Sequence, residues 1–105
     1  MKIEKKSKLE AAGWKVGNAE DFLGLTDEEI AYIQLKLALS KNLRAQRKLK
    51  KLTQVQVAQM LKSNQARIAR MEAGDPSVSV DQLIKSLLVL GTTKQELGEI
   101  ISTAA

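Results

Sequence analysis

The chain contains no cysteine and no histidine, a single proline, and one residue each of tryptophan, tyrosine and phenylalanine. Without cysteine there is no disulfide framework, and without either residue the usual zinc and haem ligands are missing. The same absences remove thiol and imidazole catalysis. No glycine-rich phosphate loop and no nucleophile–base pair stands in the sequence. An enzyme is therefore not expected, nor a metal or other cofactor. The longest apolar run, around "LLVLG", is too short to span a bilayer, so no membrane partner is expected. The start, "MKIEKKSKLEAAGWKVG", is charged and lacks the apolar core of a secretory signal, which makes a cytoplasmic location the default expectation.

What is present is positive charge. Lys plus Arg number 17 against 12 for Asp plus Glu, giving a net charge of +5 in 105 residues. That balance points to an anionic partner: nucleic acid, an anionic surface or an acidic protein. The length suits one domain.

Helix-start signals recur along the chain. In "LTDEEI", Thr26 is placed as N-cap, Glu29 follows three residues on, and Leu25 and Ile30 can form a hydrophobic staple. "LTQVQV" repeats the arrangement with Thr53, Gln56, Leu52 and Val57, and "VSVDQL" with Ser79, Gln82, Val78 and Leu83. Each is a capping box with a staple, predicting helix starts at Asp27, Gln54 and Val80. The first helix should run to about Leu49 and the second to about Leu61. A third is expected from Gln65 to about Ala73, with Asn64 as N-cap and Gly74 as its stop. The fourth should end near Leu90 at Gly91, and a fifth should run from near Thr93 to about Ile101. The third start is unlike the others: Ser63 cannot staple, and Arg67 stands where a capping box needs Glu or Gln. A broken local rule of this kind is expected at functional sites. The fold class is all-α: a five-helix bundle (26–105) with a small N-terminal appendage (1–25) that packs on it.

Residues 53–74 read as two short helices joined by a tight turn, which is helix-turn-helix geometry. Val57, Leu61, Ile68 and Met71 supply apolar contacts between them, and Ala58 is small where they cross. On a wheel of about 100° per residue, Ile68, Met71 and Asn64 fall inside. Ala66, Arg70 and Ala73 fall outside, flanked by Arg67 and Ala69, with Gln65 in the first turn. Small residues let a helix approach the major groove, Arg suits guanine, and Gln suits adenine. Upstream, "KNLRAQRKLKK" places Lys41, Arg44, Arg47, Lys48, Lys50 and Lys51 together with no acidic residue, a composition fit for phosphates. The start of the second helix, at Thr53 and Gln54, offers backbone N–H groups to another. Glu72 is half-buried on its helix and needs a partner; Arg47 is the candidate.

These stretches carry a resemblance. "RKLKKLTQVQVAQMLKSNQARIARMEAG" resembles the phage-repressor-type (Xre/Cro/cI-like) helix-turn-helix family, over about residues 39–101. The resemblance implies a lambda-repressor-like fold, double-stranded DNA as partner and a homodimeric transcriptional repressor. It implies that Gln54 contacts phosphate and that Asn64 caps the third helix and touches the DNA backbone. Gln65 and Ala66 would meet base edges, with Arg67 and Arg70 as further readers, and Arg47 and Glu72 would form the linking ion pair. Lys62 departs from the pattern, standing where the family usually has glycine; a non-glycine residue at positive φ costs roughly 1 kcal/mol. Upstream, "GWKVGNAEDFLGLTDEEIAYIQLKLALSKNLR" is similar to the leader of HigA-like antitoxins, which implies a small ribonuclease-type toxin as an alternative partner.

Plainer readings stand beside these. Arg67, Arg70 and the basic run could be solvated helix charges. Trp14, Phe22 and Tyr32 could form a satellite core or a protein-binding surface. The apolar residues Val80, Leu83, Ile84, Leu87, Leu88, Val89 and Leu90 are too many for one stripe. The fourth helix is therefore central to the bundle, part of a dimer interface, or both.

Overall fold

The computed structural model describes residues 24–104. They form five helices: α1 (Asp27–Leu49), α2 (Gln54–Met60), α3 (Gln65–Ala73), α4 (Val80–Val89) and α5 (Lys94–Thr103). All five starts lie at, or one residue from, the positions expected. The appendage assigned to residues 1–25 lies almost wholly outside the described residues, as do Trp14 and Phe22. Tyr32 is about half exposed on α1 and joins no core.

The N-termini form as their sequences dictate. Thr26, Thr53 and Ser79 each accept from the backbone N–H three residues on, and Glu29, Gln56 and Gln82 reach back to the cap N–H. A fourth box, Thr93 with Glu96, starts α5. It was readable as T-x-x-E but lacks the staple, because polar Thr92 precedes it. At α3, Asn64 Oδ1 accepts from Arg67 N–H at 2.9 Å and no side chain reciprocates. Asn64 is exposed rather than inward. An N-cap sits half outside the helix, where the 100° wheel does not hold.

The helix ends share one device. Leu52 N–H donates to Arg47 C=O, Ser63 to Ala58, Asp75 to Arg70 and Thr92 to Leu87. These six-to-one bonds are Schellman closures, which need a left-handed residue one position earlier. Gly74 (φ 72) and Gly91 (φ 98) fill two such positions without strain, while Lys51 (φ 58) and Lys62 (φ 54) fill the others. Lys62 thus adopts the conformation that glycine would, at a steric cost, and the α2–α3 turn keeps its shape.

α1 is the spine. α3, α4 and α5 pack on it, and α2 packs on α3. The core joins Leu39 and Leu43 of α1, Val57 and Ala58 of α2, Ile68 and Met71 of α3, and Leu83, Leu87 and Leu90 from α4 and its cap. Fully burying each of the larger side chains contributes about 1.5–3 kcal/mol. α4 is central, as its composition required, but Leu88 and Val89 remain about half exposed. At Gly74 a Cβ would lie 2.7 Å from Leu37 Cδ2, so α1 and the end of α3 approach too closely for a side chain.

Two left-handed positions should therefore respond oppositely. Lys62→Gly relieves strain against a smaller gain in unfolded-chain entropy, and should stabilise by about 0.5–1 kcal/mol. Gly74→Ala adds strain and a clash, and should destabilise by about 1–3 kcal/mol. Chemical denaturation of both variants checks the signs.

Candidate nucleic-acid interface

α2 and α3 are joined by Leu61–Asn64, and Val57, Ala58, Ile68 and Met71 seal their contact. This apolar seam turns one face of α3 inward. Gln65, Ala66, Arg70 and Ala73 are left exposed, with Arg67 and Ala69 half-buried beside them. The candidate base readers Gln65, Ala66, Arg67 and Arg70 thus share the outward side of one short helix.

Behind them runs a polar relay. Arg47 Nε and Nη2 donate to Glu72 Oε2 and Oε1 at 2.6 and 3.0 Å, and Nη1 donates to Leu52 C=O at 3.0 Å. The side chains are only 14% and 4% exposed, so the pair is shielded from water. The hydrogen bonds to Glu72 raise the Arg47 pKa against the opposing effect of burial. Gln54 Nε2 donates to Glu72 Oε1 at 3.2 Å. Gln65 Nε2 then donates to Gln54 Oε1 at 2.9 Å. The polarity of the chain follows from its end. An ionised carboxylate only accepts, so Gln54 must show it the amide nitrogen, and its carbonyl must face Gln65. The buried ion pair thereby sets the orientation of two exposed amides.

The expected phosphate group divides. Arg47 is engaged at all three nitrogens with Glu72 and Leu52, which makes it a tie from α1 to α3 rather than a free surface cation. Lys50 arches over Gly91, its Nζ 3.5 Å from where a Cβ there would sit, and its charge draws on Glu96. It therefore reaches the α4–α5 turn. Lys51, Thr53 and Asn64 are exposed beside α2 and α3, and Gln54 is half-buried between them. The capping box takes the N–H groups of Thr53 and Gln56. This leaves to Gln54 and Val55 the first-turn donors that neither cap uses. Lys41, Arg44 and Lys48 are exposed on α1. Among the described residues, no group of three or more His, Cys, Asp or Glu side chains could hold a metal ion. No helix of those residues is long and apolar enough to cross a membrane.

Two features escaped the sequence reading. The Gln54–Gln65 bond joins residues assigned separate roles, though both stand first in their helices. Lys36 is buried at 6% exposure, with Nζ donating to Pro76 C=O at 3.0 Å. Burial lowers its pKa, opposed by attraction to Asp75. Its place among Ile33, Leu37, Ser40 and Leu43 on the inward stripe was the available signal.

Breaking the relay at its anchor should be costly. Glu72→Ala leaves the guanidinium of Arg47 shielded and unpaired, and should destabilise by about 2–4 kcal/mol. Replacing both partners by apolar residues, Arg47→Met with Glu72→Leu, should cost markedly less. Denaturation midpoints of the single and double variants distinguish a paired charge from general packing.

No curated protein and no solved structure matches the chain. A family model described as helix-turn-helix matches residues 43–97, just over half of the chain. The matched span runs from the end of α1 through α2, the turn, α3 and α4 into α5, and it contains the whole relay. With that span and its outward α3 face, the chain belongs to the Xre/lambda-repressor-like helix-turn-helix family and is a DNA-binding transcription regulator.

Proposed function

We propose that the protein is a sequence-specific repressor that reads double-stranded DNA with α3 in the major groove. The observation that carries this reading is the relay ending at Gln65. One amide hydrogen of Gln65 is spent on Gln54. The other, with the carbonyl oxygen, faces outward in the pattern that pairs with adenine N7 and N6. Gln54 likewise keeps one amide hydrogen for a phosphate, so a single buried carboxylate prepares one base contact and one backbone contact. Arg70, Arg67 and the methyl of Ala66 complete the face, Arg for guanine and alanine for thymine methyls. Lys51, Thr53 and Asn64 supply the flanking phosphate contacts.

The protein acts as a homodimer on two half-sites about one helical turn apart. Exposed Leu88, Val89 and Ile101, on α4 and α5, support an apolar contact between two copies. Repression follows from occlusion of a promoter, its own being the first candidate. A second reading, an antitoxin that holds a ribonuclease-type toxin, is favoured by the likeness of residues 13–44 to antitoxin leaders. Co-purification with the product of an adjacent gene, lost on deleting residues 1–25, would support it.

Selection from randomised duplexes, followed by footprinting, should return a two-fold symmetric site. Affinity for it should fall steeply with salt. Gln65→Ala and Arg70→Ala should each relax discrimination at one base pair per half-site, by about 1–3 kcal/mol. Equal weakening on every duplex would remove these side chains from base reading and leave them as phosphate contacts.

A further inference from the structure

Asp75 lies one residue beyond Gly74, where α3 ends. Its N–H donates to the carbonyl of Arg70 at 3.1 Å, which folds it back against the turn that carries Arg70. Its carboxylate is aimed by Ser77, whose N–H and hydroxyl both donate to Oδ1, at 2.8 and 2.7 Å. Oδ2 accepts no hydrogen bond among the described residues. Two cations draw on it. Lys36 is buried on α1 and tied to Pro76 C=O. Arg70 is exposed on the outer face of α3 and makes no side-chain hydrogen bond among the described residues. The Ser77 bonds, with attraction to Arg70 and Lys36, hold the Asp75 carboxyl below the usual range, so it is ionised at neutral pH.

We propose that Asp75 competes with DNA for Arg70: its Ser77-clamped carboxylate, fixed just past the end of α3, lowers the affinity that the Arg70 guanidinium contributes to any DNA complex. This rests on the reading of α3 as the helix that meets DNA. To reach a base or a phosphate, the guanidinium must leave the field of the carboxylate. That cost is charged to every complex in which Arg70 takes part. Lys36 stays behind, so the carboxylate keeps a counter-charge when Arg70 departs. Asp75 also repels phosphates directly, but that effect does not pass through Arg70. The two are separable in a double-mutant cycle.

The test uses the full 105-residue chain as wild type, Asp75→Asn, Arg70→Ala and the double variant. Binding is measured at one low salt concentration on a duplex selected by the wild-type protein. Asparagine keeps the Oδ1 acceptor for Ser77, so the turn persists, and thermal melting checks it. If that variant melts early, Asp75→Ser takes its place in the cycle. Asp75→Asn should tighten binding about two- to fivefold more in the wild-type background than in the Arg70→Ala background, the size expected of an exposed charge pair. Equal tightening in both backgrounds reduces Asp75 to bulk repulsion and overturns the proposal, as does any weakening. If Arg70→Ala weakens binding while the cycle shows no coupling, the competitor role fails and the reading of α3 stands. If Arg70→Ala does not weaken binding, Arg70 does not touch DNA, and both fail together.

Discussion

The shielded pair of Arg47 and Glu72 is the constraint on which the reading surface depends. A carboxylate taken out of water must be matched by donors, and three side-chain donors converge on this one. Two come from α1 and one from α2, while Glu72 itself belongs to α3. One charge thus fixes the mutual placement of three helices. The orientation of Gln54, and through it of Gln65, is a by-product of satisfying that charge. Apolar contacts hold α2 and α3 together but would tolerate small rotations between them. The directional bonds do not.

α1 repeats this role along its length. Lys36 ties down the loop after α3, Arg47 joins α2 and α3, and Lys50 covers the turn between α4 and α5. These three long cationic side chains each reach a different connection from one rigid spine. The basic character of α1 is therefore partly architectural. Of the run from Lys41 to Lys51, a portion faces outward for an anionic partner, and the rest closes the fold.

The helices were legible because their start signals are local. Thr26 with Glu29, Thr53 with Gln56 and Ser79 with Gln82 act within one turn, so spacing alone exposes them. The Arg47–Glu72 pair was also legible, since a carboxylate near the inner face of a short helix has few ways to be satisfied. Other features were not. The Gln54–Gln65 bond depends on how two helices cross, which no single-helix pattern contains. Lys36 breaks the rule that inward stripes are apolar, and only the loop carbonyl of Pro76 makes its position affordable. Lys50 looked like its neighbours in the basic run, and its direction was decided by the C-terminal turn of α1. Asn64 was assigned a face by a rotation rule that fails at a cap.

The absence of histidine has a consequence for regulation. Histidine is the side chain whose ordinary titration range overlaps the acidity of living compartments. Among the described residues, the carboxyls of Asp75 and Glu96 are displaced downward, away from neutrality. Lys36 alone shifts toward it, and it lies beneath a loop rather than on the face of α3. The reader therefore has no proton-driven input at its surface. Its occupancy answers to ionic strength, to its own concentration and to whatever molecule binds it, and a shift in acidity leaves the message unchanged.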